Sequence, residues 1–298
     1  MRMRMHRADS AAKIIPVPTW RLGLCGTVVD TRGKAAEAYL KQQCSRVLNL
    51  SFDPDVGNIR LDGTVVEPDQ LNKVIPDAGG VVLETTTLGF VEVAVCCDAL
   101  RKAGARSISL LYVEPGEYFI PDPGQILLTR QFALTEEVTP YSGVPGWIKR
   151  LDETKSRVVF FLGFEGERLL QAIEQLPLDP RRCSVVFGVP AFRPGWELNA
   201  FANNVSVLRE ARLAGGIDFC AADNPWAAID HLNRFYEAHS MDDVFVVPIG
   251  TKPHGIGAAI FAATKSNIGI FYDHPKRKIG RSDKLGTWHL FDVDFESK

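Results

Sequence analysis

The chain has 298 residues, of which 46% are hydrophobic and 23% are charged, and its formal net charge is -2. This is the composition of a globular protein with enough apolar side chains for one large domain or two smaller ones. The slightly acidic balance excludes a protein that coats nucleic acid without sequence preference, because such binding needs a basic surface.

The cysteines and the hydropathy pattern indicate the compartment. None of the six cysteines forms a CxxC pair, and most lie in apolar runs, as reduced core thiols do. No run of 18 apolar residues could span a membrane, and the basic start MRMRMHRADSAAK lacks the apolar core of a secretory signal. We therefore expect a cytoplasmic protein, with a frayed or disordered start over residues 1–20.

Short runs of β-branched and aromatic residues recur along the chain and predict strands. They are nearly continuous in apolar character, which indicates strands that are covered on both faces of a parallel sheet. The predicted strands are Arg46–Phe52, Gly80–Glu84, Ser107–Val113, Arg157–Leu162, Cys183–Val189, Ile217–Ala221, Asp243–Ile249, Asn267–Tyr272 and Trp288–Val293.

Helical patterns lie between these strands, at Leu88–Ala103, Glu165–Gln175, Pro225–His239 and Pro253–Thr264. The alternation predicts an α/β fold with a doubly wound, mainly parallel, Rossmann-like sheet.

Two regions break the alternation. Asp53–Pro76 is rich in Asp, Gly and Pro and predicts hairpins or loops, whereas Pro115–Lys155 has five prolines, four glycines and one strand-like run, Gln125–Phe132. We expect two lobes, 21–155 and 156–298, with a single continuous sheet as the alternative.

Ligands of open parallel sheets bind beyond the carboxyl ends of the strands. The residues Thr85, Thr86 and Thr87 follow one predicted strand, where they either bind an anion with the free N–H groups of the next helix or only cap that helix. A second strand is followed by Gly163, Glu165 and Arg168, in a turn whose glycines permit close backbone approach but do not form a GxGxxG motif.

Two further turns are candidates for the walls of a site. Glu114 follows the predicted strand Ser107–Val113, in a segment that is either a simple turn or a wall carrying carboxylates. Phe192, Arg193 and Trp196 follow Cys183–Val189, where they either stack on a flat ring or cover the sheet edge.

The turn Gly250-Thr251-Lys252-Pro253 carries the strongest signal, because it ends a strand and opens a helix. Thr251 suits the cap and Pro253 suits the first turn. A cation such as Lys252 is disfavoured at the positive end of a helix dipole by roughly 0.3–1 kcal/mol unless an anion is bound. We expect a phosphate site here, with His254 beside it; the alternative is a lysine that points into water.

The next strand is followed by Asp273 and His274, then by Lys276, Arg277 and three more cations up to Lys284. This basic stretch forms either a wall over the same crevice or a solvated loop. Asp273 and His274 are a candidate acid–base pair, although a histidine beside a proline is commonly structural.

Several catalytic signatures are absent from the sequence. It contains no GxxxxGK[ST], HExxH, CxxC or GxSxG motif. We therefore expect no cofactor and no metal ion.

At Gly250-Thr251-Lys252 the chain resembles the CARF-type Rossmann-like sensor domains, which bind cyclic oligonucleotide second messengers in prokaryotic antiviral systems. The turn at Thr85 and Thr86 is similar to the other ligand-binding loop of that fold. The family usually has a second glycine before the threonine, where this chain has Ile249. The resemblance implies a nucleotide-type ligand and the possibility of a homodimer.

Three functions remain open. The first is a sensor for a phosphate-bearing nucleotide or short oligonucleotide, which would work through a protein partner or effector. The second is a hydrolase or transferase on a nucleotide-like substrate, for which the candidate acids and bases are Glu84, Glu114, Glu165, Asp273 and His274. The third is a partner-binding protein without a small ligand.

Overall fold

The computed structural model describes residues 1–14, 20–75, 80–121, 124, 131–213 and 216–295. The chain forms two compact units, one of residues 1–119 and 278–298 and the other of residues 120–277. The second unit is therefore inserted into the first, whereas the sequence predicted two consecutive lobes. The insertion arises because the last strand of the chain returns to pair with a strand that ends near residue 118.

The first unit contains an eight-stranded sheet with the order β1-β16-β7-β6-β2-β3-β4-β5. The strands are β1 (Arg2–Ala8), β2 (Trp20–Cys25), β3 (Cys44–Asp53), β4 (Asn58–Leu61), β5 (Thr64–Val66), β6 (Val81–Glu84), β7 (Ser107–Tyr118) and β16 (Ser282–Asp294). The helices of this unit are α1 (Thr31–Gln43), α2 (Leu71–Val74) and α3 (Phe90–Lys102).

The predicted fold class, a doubly wound, mainly parallel sheet, is wrong. The eight-stranded sheet is parallel only from β3 through β2 and β6 to β7, and it is antiparallel on both sides of this centre. At one side Asp62 and Gly63, both with positive φ, form the two-residue turn of the β4–β5 hairpin. The apolar content of a strand reports burial on its two faces but not the direction of its neighbours, which explains the error.

The second unit contains a six-stranded sheet with the order β12-β11-β10-β13-β14-β9. Its strands are β9 (Ser142–Gly143), β10 (Ser156–Leu162), β11 (Cys183–Gly188), β12 (Ile217–Cys220), β13 (Asp243–Pro248) and β14 (Ile268–Tyr272). All pairings except that of β9 are parallel. A separate two-stranded ladder joins β8 (Thr135–Glu137) to β15 (Lys276–Arg277).

Among the described residues of this unit, four helices cover the two faces of the sheet, namely α4 (Gly166–Gln175), α5 (Trp196–Glu210), α6 (Pro225–Ala238) and α7 (Lys252–Thr264). Phe160 of β10 belongs to a core that includes Leu169 of α4. The next residue, Phe161, has its ring against His231 of α6 and His254 of α7. Because successive side chains of a strand point to opposite faces, α4 lies on one face and the α6–α7 pair on the other.

The predicted strands and helices are present, with altered bounds, apart from one strand. The strand predicted at Gln125–Phe132 falls mostly outside the described residues. In the segment predicted to be disordered, Arg2–Ala8 forms β1 along β16. The sequence pattern missed α1 and α5, which contain the helix-weakening residues Gly33, Asn203 and Asn204.

A glycine sets the distance between α6 and α7, and its replacement is the first testable change. A Cβ atom at Gly257 would lie 2.5 Å from the carbonyl oxygen of Pro225. We expect Gly257→Val to lower the free energy of unfolding of the second unit by roughly 1–3 kcal/mol, because it overpacks this contact. Urea denaturation followed by circular dichroism measures the change. Ala238→Val, at an exposed helix position, is the matched control, and an equal loss in both variants would contradict the packing argument.

Candidate functional site

The turns after β10 and β13 lie side by side, because these strands are parallel neighbours in the centre of the second sheet. A Cβ atom at Gly163 would lie 3.1 Å from the carbonyl oxygen of Ile249, and one at Gly250 would lie 3.1 Å from that of Leu162. Both predicted site glycines therefore serve the close approach of one turn to the other. Their backbones form the middle of the carboxyl edge of the sheet.

Helix α7 begins directly at this edge. The Thr251 hydroxyl accepts a hydrogen bond from the backbone N–H of His254 and donates one of 2.7 Å to the carbonyl oxygen of Ala222. Thr251 thus caps α7, as predicted, and also holds the loop that follows β12. Lys252 is the first residue of the helix and is partly exposed, so its ammonium group is near the positive end of the helix dipole.

His254, which we predicted at the ligand, is fully buried in the first turn of α7. Its Nε2 atom lies 3.1 Å from the carbonyl oxygen of Ala221 and 3.2 Å from Sγ of Cys220. Burial lowers the pKa of His254 to about 4, and burial raises the pKa of the Cys220 thiol to about 12. The pair is therefore neutral at pH 7, and His254 fastens the end of β12 to α7.

Arg168 and Asp273 form a buried ion pair beyond the ends of β10 and β14. The guanidinium donates two hydrogen bonds to the carboxylate, at 2.6 Å and 2.5 Å. Burial acts to lower the pKa of Arg168, but the Asp273 carboxylate, together with Tyr272 and Tyr141, raises that pKa well above its ordinary value. Glu165 is 3.7 Å from the same guanidinium and also accepts a hydrogen bond from Thr135.

Residues 139–142, for which the sequence predicted no element, contact Arg168, Asp273 and His274. The backbone N–H and the hydroxyl of Thr139 both donate to the carbonyl oxygen of Asp273, and the Tyr141 hydroxyl donates to that of Arg168. His274 contacts the Ser142 hydroxyl at 2.9 Å, and burial lowers the pKa of this histidine. Only the tertiary fold brings these residues together, because no motif links them.

Lys276 and Arg277, predicted as a basic wall, form the short strand β15. Lys276 lies 3.5 Å from Glu136 of β8 in an exposed ion pair, and Arg277 pairs with Thr135 of the same strand. The two cations therefore stand beside the segment that covers Arg168.

The aromatic residues after β11 pack on those after β10. The ring centroids of Phe164 and Trp196 are 5.9 Å apart, and the Arg193 guanidinium lies over the Trp196 ring at 5.7 Å. Phe132 contacts both rings. Trp196 and Phe164 remain half-buried.

The predicted anion site of the first unit, at Thr85–Thr87, contains a carboxylate of the protein itself. Glu84 is fully buried, and its two oxygens accept hydrogen bonds from the backbone N–H groups of Thr86 and Thr87 and from the Thr87 hydroxyl. The Thr85 hydroxyl donates to the carbonyl oxygen of Leu111. Burial raises the pKa of Glu84, against these hydrogen bonds, which lower it. The backbone N–H groups of Thr86 and Thr87 therefore bind a side chain of the protein itself, and these threonines do not cap α3, whose N-cap is Gly89.

The remaining candidate acid, Glu114, is paired with a histidine that the sequence analysis missed. Nε2 of His289 lies 2.6 Å from a Glu114 oxygen, and both residues are buried. The two residues are 175 positions apart and meet because β16 pairs with β7. The sequence shows His289 only as one polar residue within an apolar strand.

Comparison of the sequence with models of known protein families gives no match, and comparison with curated proteins gives none either. Among the residues that the structure describes, no cluster of three or more His, Cys, Asp or Glu side chains could hold a metal ion. None of the described helices is long and apolar enough to cross a membrane.

Removal of one partner of the Arg168–Asp273 ion pair tests how much this pair contributes to the free energy of unfolding. We expect Arg168→Met to lower the unfolding free energy by about 3–5 kcal/mol, because it leaves the Asp273 carboxylate buried without a counter-charge. The double variant Arg168→Met with Asp273→Asn should recover most of this loss, as measured by urea denaturation. Arg181→Met, at an exposed ion pair, is the control and should change stability little; equal losses in the single and double variants would contradict the assignment.

The buried histidine predicts a pH dependence of stability. Because the pKa of His254 falls from 6.5 to about 4 on folding, the unfolded chain binds the proton more strongly than the folded one between these values. Stability should therefore be complete above pH 6.5 and should decrease by roughly 3 kcal/mol as the pH falls to 4. His254→Gln should lose this part of the pH profile in chemical denaturation, whereas His6→Gln, at an exposed histidine, should retain it.

Proposed function

We propose that the chain binds a phosphate-bearing nucleotide or a short oligonucleotide, such as a cyclic one, at the β13–α7 turn, and that it acts as a sensor. The observation that carries the proposal is the position of Lys252. It is a partly exposed cation at the first residue of a 13-residue helix whose interior is buried, at the centre of the carboxyl edge of a parallel sheet. A phosphate group there would be attracted both by the ammonium group and by the helix dipole.

The state of the carboxylates favours binding over catalysis. Asp273 and Glu165 both contact the Arg168 guanidinium, and Glu84 is held by its own turn. A general base needs a lone pair that is available to the substrate. Of these carboxylates, Asp273 and Glu165 lie in the second unit and act in the structure of its carboxyl edge, whereas Lys252 is the cation that we propose for the ligand.

The wider role is part of the same proposal. The resemblance of Gly250-Thr251-Lys252 to nucleotide sensors of prokaryotic defence systems supports a function in such a system, in which a protein partner or effector receives the signal. A cytoplasmic location is consistent with the six free cysteines.

Thermal unfolding with a panel of mononucleotides, dinucleotides and cyclic oligonucleotides tests the proposal. A ligand present at a hundred times its Kd stabilises the native state by about 2.7 kcal/mol, which corresponds to a rise of roughly 5–10 °C in Tm for a unit of this size. We expect at least one phosphorylated ligand to give such a shift and Lys252→Ala to abolish most of it. Chromatography of the mixture should recover the ligand unchanged.

Lys155→Ala is the matched control, because Lys155 is exposed and precedes β10 at the opposite end of the sheet. This variant should keep the full shift. If no phosphorylated ligand raises Tm, or if both lysine variants respond like the wild type, the proposed site is wrong. Conversion of the ligand into a product would instead favour an enzyme.

A further inference from the structure

Strand β12 lies at the edge of the second sheet, and the structure fixes which of its backbone groups face outwards. The carbonyl oxygens of Gly216 and Cys220 accept hydrogen bonds from Val185 and Val189, on the side of β11. In a parallel ladder the N–H and C=O groups of one residue point to the same side. The backbone groups of Ile217 and Phe219 therefore point away from the sheet, and no described residue bonds to them.

An apolar stripe runs beside this free edge. Phe219 is 55% exposed and Ile217 is 37% exposed. The Phe219 ring contacts Phe201 of α5, and Leu198 and Val205, which share the helix face of Phe201 by their spacing, are 47% and 56% exposed. Exposed apolar side chains that adjoin an unpaired strand edge are the features to which an added strand binds.

Asp218 determines which strand fits this edge. It is exposed, and its side chain points to the face opposite that of Ile217 and Phe219. If a second copy added its own β12 in antiparallel register, with Ile217 opposite Phe219, Asp218 would stand directly opposite Asp218 of that copy. Like charges at such a position are destabilising, whereas opposite charges attract.

We propose that β12 binds an extended segment of another protein as an antiparallel strand, and that this segment carries Lys or Arg between two apolar residues. The basic side chain faces Asp218, and the two apolar side chains cover Ile217, Phe219 and the α5 stripe. The four outward N–H and C=O groups of Ile217 and Phe219 supply the backbone hydrogen bonds. The surface is independent of the β13–α7 turn and requires no ligand there.

Two fluorescein-labelled heptapeptides, with Val-Lys-Val or Val-Glu-Val at the centre, test the proposal by fluorescence anisotropy. We expect the Val-Lys-Val peptide to bind the full chain roughly threefold to tenfold more tightly than the Val-Glu-Val peptide. Asp218→Lys should invert this preference. Phe219→Ser should weaken both peptides, because it removes apolar contact area without altering charge.

Two control variants separate direct pairing from general effects. Asp230→Lys reverses an exposed charge on α6 and should leave the preference unchanged. Val65→Ser, at an exposed residue of β5 in the first unit, should leave both affinities unchanged. The proposal is overturned if neither peptide saturates at millimolar concentration, or if Asp218→Lys does not change the preference. It is also overturned if sedimentation shows a wild-type dimer that Phe219→Ser dissociates, because a second copy would then be the occupant.

Discussion

A buried guanidinium needs a counter-charge, and in the second unit Asp273 supplies it to Arg168. The carboxyl edge of the second sheet depends on this ion pair. Asp273 is fully buried at the end of β14. The bidentate pair fixes the first turn of α4 relative to β14. Thr139 and Tyr141 then satisfy the carbonyl oxygens of Asp273 and Arg168, so that residues 135–142 are held against the same edge. A neutral pair of the same shape would hold these parts with less geometric constraint.

The strand–helix turns after β6 and after β13 differ in the side chains that they hold. After β6, the side chain of Glu84 accepts the hydrogen bonds of its own turn. After β13, the groups at the turn are Thr251, which caps α7, and Lys252, which adds a cation. The turn after β13 has a cation at the first position of its helix, whereas the helix after β6 begins only at Phe90.

The second sheet exposes two kinds of surface to other molecules. At the carboxyl edge, the β13–α7 turn places Lys252 at the start of a helix, and this is the surface that we propose for an anionic ligand. At the β12 edge, apolar side chains flank an unpaired backbone with one acidic residue, and this surface suits a strand. The two surfaces would draw on different interactions, electrostatic attraction for the proposed ligand and backbone pairing for the proposed partner strand.

The sequence by itself determined the local elements of this protein. Continuous apolar runs identified strands such as β10 and β13, and Thr251 followed by Lys252 and Pro253 identified the start of α7, because caps and turns depend on neighbouring residues. It also determined which residues stand at the ends of the strands. Strand direction, the insertion of one unit into the other, and the pairs Arg168–Asp273 and Glu114–His289 were decided only by the tertiary structure. The two residues of each pair are more than a hundred positions apart in the sequence. No local pattern encodes which distant strand lies beside a given one, since the same apolar run fits a parallel or an antiparallel neighbour.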